Sequence, residues 1–188
     1  MGLPIIEGWL EDKPVKDYFI SIYPISIILG IIAGILIISL DYLFSFAGAT
    51  INITQASINP PAWQGFLASF YGGINEEILL RLFLMTLLVW IFFKIKETGE
   101  GKPTKIGMWL AIILAAVIFG IGHLPAVMTI STLIPIVIAR TIILNSAGGI
   151  IFGWLYWRKG LESAMISHFS TDIILHIIPA LIITSSLV

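Results

Sequence analysis

The sequence predicts an all-α protein, a polytopic bundle of about five transmembrane helices plus one or two partial helices. Three observations predict it. Apolar residues make up 58% of the chain and charged residues only 11%, against about 25% charged in a soluble domain. The mean hydropathy is +1.03. The apolar residues also gather in runs near the roughly 20 residues that span a bilayer core, with short polar connections between them. The 188 residues read as a single integral membrane domain, 1–188. A net charge of −1 gives no basic field for nucleic acid. The absence of cysteine excludes disulfides, thiolate metal sites and a cysteine nucleophile. Glu7, Glu11 and Asp12 stand where a signal peptide carries its basic residues, so this stretch does not read as one.

The first span runs from Phe19 to Leu40, followed by polar sequence with Asn52, Asn59, Pro60 and Pro61. The apolar run from Ala62 to Phe93 is too long for one upright span. Glycine weakens helix, so Gly72-Gly73 is the expected break. Ala62–Tyr71 then reads as a short or re-entrant helix. Asn75–Phe93 reads as a span, with Asn75 as N-cap and Glu76 and Glu77 in the first turn. A charged loop, Lys94–Lys105, leads to a third span from Ile106 to His123, ended by Leu124-Pro125. Ala126–Pro135 is uncharged and expected to be partly helical. The fourth span covers Ile136 to Trp157, and Asn145, Gly148, Gly149 and Gly153 read as sites of close helix packing. The last span runs from Leu161 to Ile183, with Pro179 ending or kinking it.

With five spans the basic residues of the connections (Lys13, Lys16, Lys94, Lys96, Lys102, Lys105, Arg158, Lys159) fall on one side. The positive-inside rule assigns that side to the cytoplasm. Trp90, Trp109, Trp154, Tyr156 and Trp157 lie near it, as an interfacial aromatic belt does.

Against this apolar background six ionisable residues stand out: Glu76, Glu77, Arg81, His123, His168 and Asp172. A charge in hydrocarbon costs about 2.5–3.5 kcal/mol on insertion scales, so such residues pair inside the bundle or do chemistry. Glu77 and Arg81 are four apart and share a helical face, which reads as a structural salt bridge. Glu76 points about 100° away, without a basic partner in its own helix. His123 follows Phe119 by four residues, so the ring packs on the imidazole. Asp172 follows His168 by four and is placed to orient it. Glu76 and His123 match in depth. His168 lies about 10 Å from the cytoplasmic start of its span, so it joins them only in a tilted or recessed arrangement. Two imidazoles and a carboxylate from three spans are able to bind a divalent metal such as zinc, through Glu76, His123, His168 and Asp172, or to activate water without one. His176 reads as facing a neighbouring helix, and Arg140 as snorkelling outward. No HExxH, no GxSxG and no pair of aspartates on separate spans is present.

Glu76-Glu77-x-x-x-Arg81, Phe119-x-x-x-His123 and His168-x-x-x-Asp172, in this order on apolar spans, resemble the three motifs of the CAAX prenyl protease and bacteriocin-processing (CPBP, or Abi) family. The Gly-Trp-Leu-Tyr-Trp-Arg-Lys-Gly turn before the last helix also fits, and the resemblance covers about residues 73–177. It implies a multi-pass intramembrane endopeptidase acting on a peptide or lipidated protein substrate such as a prenylated CAAX C-terminus. It implies catalytic roles for Glu76 and His123 on the attacking water and for His168 and Asp172 at the oxyanion, with Glu77, Arg81 and Phe119 supporting. Both metal-dependent and metal-free glutamate mechanisms are described for the family. The prenyl protease has Asn in the third motif where Asp172 stands here, and an ionised Asp cannot donate to an oxyanion. The charge pattern turns Glu76 and His123 away from the cytoplasm, where a prenyl-protein protease works. Two other functions stay open on the residues: a non-catalytic membrane immunity or partner protein, and a proton- or cation-coupled carrier.

Overall fold

In hydrocarbon every backbone N–H and C=O must find its partner inside the protein, so apolar runs of this length become helix. The computed structural model describes residues 1–49 and 61–178. Asn52, Asn59, Pro60, Pro179 and the expected end of the last span at Ile183 lie outside the described residues. Eight α-helical segments follow in order: α1 (Pro4–Leu10), α2 (Lys16–Phe46), α3 (Ala62–Phe70), α4 (Thr86–Ile95), α5 (Lys105–Gly122), α6 (Leu124–Met128), α7 (Pro135–Lys159) and α8 (Leu161–Asp172). Among the described residues four continuous helices are long and apolar enough to cross a membrane: Lys16–Phe46, Ala62–Ile95, Lys105–Met128 and Pro135–Lys159. The α8 helix continues as a π-helical turn, Ile173–Ile177. Among the described residues the only β-type contact is an isolated bridge between Glu97 and Pro103.

The expected break at Gly72-Gly73 does not occur. Ala62–Ile95 is one helix of 34 residues, and α3 and α4 are joined by two π-helical stretches, Tyr71–Glu76 and Ile78–Met85. Asn75 is therefore an exposed residue inside a helix, not an N-cap. Propensity lost to packing. A Cβ on Gly72 would run into the Asp172 carboxylate and lie 3.2 Å from His168 Nε2; one on Gly73 would lie 3.1 Å from the Met165 carbonyl oxygen. The glycines admit α8, and the wider π turns set where the carboxylates after them point.

The remaining boundaries follow local chemistry. Thr104 caps α5 by accepting the Gly107 N–H at 3.0 Å. Pro125 falls in the first turn of the short α6, the partial helix expected after the third span. Pro135 opens α7, and Gly160, at φ 85°, ends it. The α1 segment folds back on α8: Glu162 Oε1 accepts the N–H groups of Ile5 and Ile6 at 2.9 and 3.2 Å.

Small residues set the helix contacts. Gly149 lies against Ala116 and Gly153 against Ile112, which joins α7 to α5, as read from the sequence. A second pair was not read there. Gly30 and Gly34 of α2 meet α8 so closely that a Cβ on Gly30 would strike the Ser167 carbonyl oxygen, and one on Gly34 would sit 2.8 Å from Ile174. Thr171 Oγ1 donates to the Gly30 carbonyl at 2.9 Å, and the Ser26 and Ser163 hydroxyls meet at 2.7 Å. The packed interior gathers Met85, Met108, Ile112, Phe152, Leu155 and Tyr156, while Ile, Leu and Phe side chains elsewhere face outward to lipid. The Tyr18 hydroxyl donates to the Lys159 carbonyl, so the basic ends of α2 and α7 share one side.

Gly30→Val is expected to overpack the α2–α8 contact and destabilise the protein by about 1–3 kcal/mol, read as a lower Tm in detergent. Gly99→Ala, at a position with open space around it, should leave Tm unchanged.

Candidate active site

The π-helical register sends Glu77 into the bundle and Glu76 to a cavity. Glu77 has a relative side-chain exposure of 0% and Arg81 of 1%. Arg81 Nη1 lies 3.1 Å from Glu77 Oε1, the expected i,i+4 pair. Arg81 Nη2 also donates to the Gly149 carbonyl at 3.2 Å. The guanidinium sits 5.2 Å from the ring centroid of Phe119 and 5.4 Å from that of Phe152, within cation–π range.

The same Glu77 oxygen reaches His168 Nδ1 at 2.8 Å. This corrects the expectation that Asp172 orients His168. Glu77 holds the ring, while Asp172 Oδ1 stands 3.8 Å from the other nitrogen. Phe152 stacks on the His168 ring at 4.5 Å between centroids and 17° between planes. With Nδ1–H donating to the carboxylate, Nε2 is the nitrogen turned toward Glu76, whose Oε2 lies 3.7 Å away. These gaps exceed a direct hydrogen bond, and they leave space for a bridging atom between His168 and either acid.

His123 is anchored in the same manner by its own backbone. Its Nδ1 donates to the Phe119 carbonyl at 2.9 Å, which leaves Nε2 as the unengaged ring nitrogen. Phe119 meets the ring edge-on at 4.6 Å, as its spacing predicted.

Glu76, His123, Asn145, His168, Asp172 and His176 line one cavity of about 290 Å³. The four residues expected to act together are thus brought to one place, and the depth mismatch of His168 is resolved by the close approach of α8 to Gly72 and Gly73. One lining residue was read differently in the sequence: Asn145, taken as a packing residue, donates to the Thr141 carbonyl at 2.8 Å and lines the cavity. His176, read as facing a neighbouring helix, has its Cβ against Gly65 of α3 and lines the cavity as well. Arg140 does not snorkel outward alone; its Nε bonds Asp41 Oδ1 at 2.5 Å. Among the described residues no three His, Asp or Glu side chains converge as metal ligands. The Nδ1 atoms of both histidines are engaged, which leaves Nε2 of each free, the arrangement in which an imidazole can ligate a metal or accept from water.

Residues 58–174 match the type II CAAX prenyl endopeptidase Rce1-like family. The chain belongs to this family. The match spans more than half of the sequence and contains Glu76, Glu77, Arg81, Phe119, His123, His168 and Asp172. Membership makes the chain a CAAX-type intramembrane protease in general terms, an integral membrane protein with a peptide or protein substrate. No curated protein and no solved structure matches it.

Arg81→Ala leaves the buried Glu77 carboxylate with His168 as its one remaining partner among the described residues, so a loss of up to about 3–5 kcal/mol is expected. Removing both charges in Arg81→Met/Glu77→Gln should recover most of that loss, measured by unfolding in detergent.

Proposed function

We propose that the protein hydrolyses a peptide bond in its membrane-embedded cavity, using a water molecule activated by Glu76 and His123. The observation that carries this reading is the arrival of Glu76, His123 and His168 on a single cavity from three separate stretches of an apolar chain. In the proposed reaction the Glu76 carboxylate takes a proton from water while His123 Nε2 holds that water by accepting its other hydrogen. The water oxygen bonds to the scissile carbonyl carbon and the carbonyl π electrons move to oxygen. His168, when protonated at Nε2, donates to that oxyanion, with its ring direction fixed by Glu77 on Nδ1. On collapse the C–N bond breaks and Glu76 returns its proton to the departing amine. Glu77 and Arg81 act as positioning residues, since they touch His168 and the surrounding rings, not the space where substrate would sit. Asp172 donates to the oxyanion only in its protonated form; its Oδ1 stands 3.8 Å from His168 Nε2.

The expected substrate is a peptide that enters from the bilayer, with prenylated CAAX C-termini as the leading candidates to try. Quenched-fluorescent peptides, farnesylated and unmodified, incubated with pure protein in liposomes with and without a chelator, test activity, substrate class and metal together. Glu76→Gln, His123→Ala and His168→Ala should each lower kcat/KM by about 10²–10⁴ with the fold retained by Tm. Full turnover in Glu76→Gln would sink the mechanism.

The basic ends of α2, α5 and α7 support a cavity that opens away from the cytoplasm. The cysteine-free chain makes this direct to test. In intact cells an impermeant maleimide should label Thr129→Cys and should label Lys102→Cys only after permeabilisation. The reverse pattern would turn the site to the cytoplasm.

A further inference from the structure

The mechanism gives no part to Asn145 of α7, the one carboxamide in the cavity wall among the described residues. A carboxamide neither gains nor loses a proton near neutral pH, so it is no acid or base. It offers two N–H donors and an acceptor oxygen. One N–H is used: Nδ2 donates to the Thr141 carbonyl at 2.8 Å. A carbonyl only accepts, so this bond fixes which end of the amide is nitrogen. The side chain is half-buried, and among the described residues Oδ1 and the second N–H have no partner.

Its place in the cavity decides what these two groups can meet. Asn145, Gly148 and Phe152 line the cavity from α7, at the i, i+3, i+7 spacing of one helical face. Phe152 stacks on His168, and Asn145 stands seven residues away, about 10 Å along the axis. Its bond to Thr141 draws the carboxamide further from His168. Packing against α5 sets its level on the other wall. Ser146 Oγ donates to the Ala116 carbonyl at 3.1 Å, and Gly120 lies against Ile142. Asn145 is therefore level with the turn of α5 that contains Phe119, whose carbonyl holds His123. About 10 Å is too far for a second donor to an oxyanion held by His168. It matches two or three residues of extended peptide at about 3.3–3.6 Å each. Between the two positions α7 offers Gly148, where a Cβ would lie 3.2 Å from Phe152 and 3.5 Å from Ile37. A peptide drawn from the bilayer brings N–H and C=O groups that are costly to leave unpaired. In an extended strand the N–H and C=O of one residue point to the same side, so a group that donates and accepts can meet both.

We propose that Asn145 binds the substrate backbone two or three residues from the scissile bond, Oδ1 accepting a peptide N–H and the second Nδ2–H donating to a peptide C=O. This rests on the protease reading above. The test is an ester scan. One of the quenched peptides above that the protein cleaves is remade with each N–H within four residues of the cut replaced in turn by oxygen, which removes one donor and keeps the chain shape. In wild type one position, two or three residues from the cut, should lose about threefold to tenfold in kcat/KM, the worth of a neutral hydrogen bond. Asn145→Leu keeps the bulk and removes the carboxamide. It should lower kcat/KM on the parent peptide at least as much and abolish the penalty at that position alone. Penalties unchanged in Asn145→Leu at every position, or full activity of Asn145→Leu, would overturn the proposal; the first would mark a structural role. Both leave the protease reading standing, whereas cleavage of no peptide by wild type removes both. Should Asn145→Leu fail to fold or to turn over, Asn145→Ala, a good helix former, is read by the same criteria. A folded but inactive Asn145→Ala counts against the proposal, since one backbone contact does not carry the reaction.

Discussion

A carboxylate with no exposed surface is stable inside a membrane protein only when its neighbours answer its charge. Glu77 is answered from two directions, by Arg81 in its own helix and by His168 from α8. Much of the architecture serves that arrangement. Phe119 and Phe152 enclose the guanidinium, Gly149 lends it a backbone carbonyl, and Phe152 also stacks on the imidazole. Three helices and a π-helical stretch are therefore joined through one buried ion cluster. Because charges in low dielectric act strongly over short distances, a small shift of α8 would disturb the packing of α5 and α7 as well.

The same arrangement divides labour between adjacent glutamates. Glu77 is spent on position and charge balance, while Glu76, 24% exposed at its side chain, keeps its oxygens for the cavity. Two neighbouring residues of identical chemistry differ in role because a helix turns them about 100° apart. An additional histidine anchored by a carbonyl and a ring, His123, completes the polar wall opposite. Asn145, His168, Asp172 and His176 supply the rest of its polar lining.

The all-helical, membrane-spanning fold was legible because hydrocarbon permits few alternatives and the apolar runs are long. The three motifs marked Glu76, His123, His168 and Asp172 because ionisable groups are conspicuous among Ile and Leu. The misread features share one physical cause, contact between helices that spacing along a single helix does not encode. Gly72-Gly73 has the composition of a break, and only the approach of α8 makes it an entry port for packing. Gly30 and Gly34 sit in so uniform an apolar run that their spacing drew no attention, yet they seat α8. Glu77 was assigned to Arg81 by the i,i+4 rule, which is blind to the imidazole across the gap. Asn145 and Arg140 were interpreted from their own helix, and the partners that define them come from elsewhere in the bundle.

The π-helical stretch from Tyr71 to Glu76 has a consequence of its own. A π turn amounts to an α turn carrying one residue more, and it survives where packing pins it. Because the turn absorbs that extra residue locally, deleting one residue there would offer the backbone a regular α path and leave the helix beyond it close to its present register. The same deletion in a regular α stretch would swing every later side chain about 100° around the axis. For an evolving sequence, the π stretch is therefore where the chain can change length by one residue and still deliver Arg81 and the packed face of α4 to their neighbours.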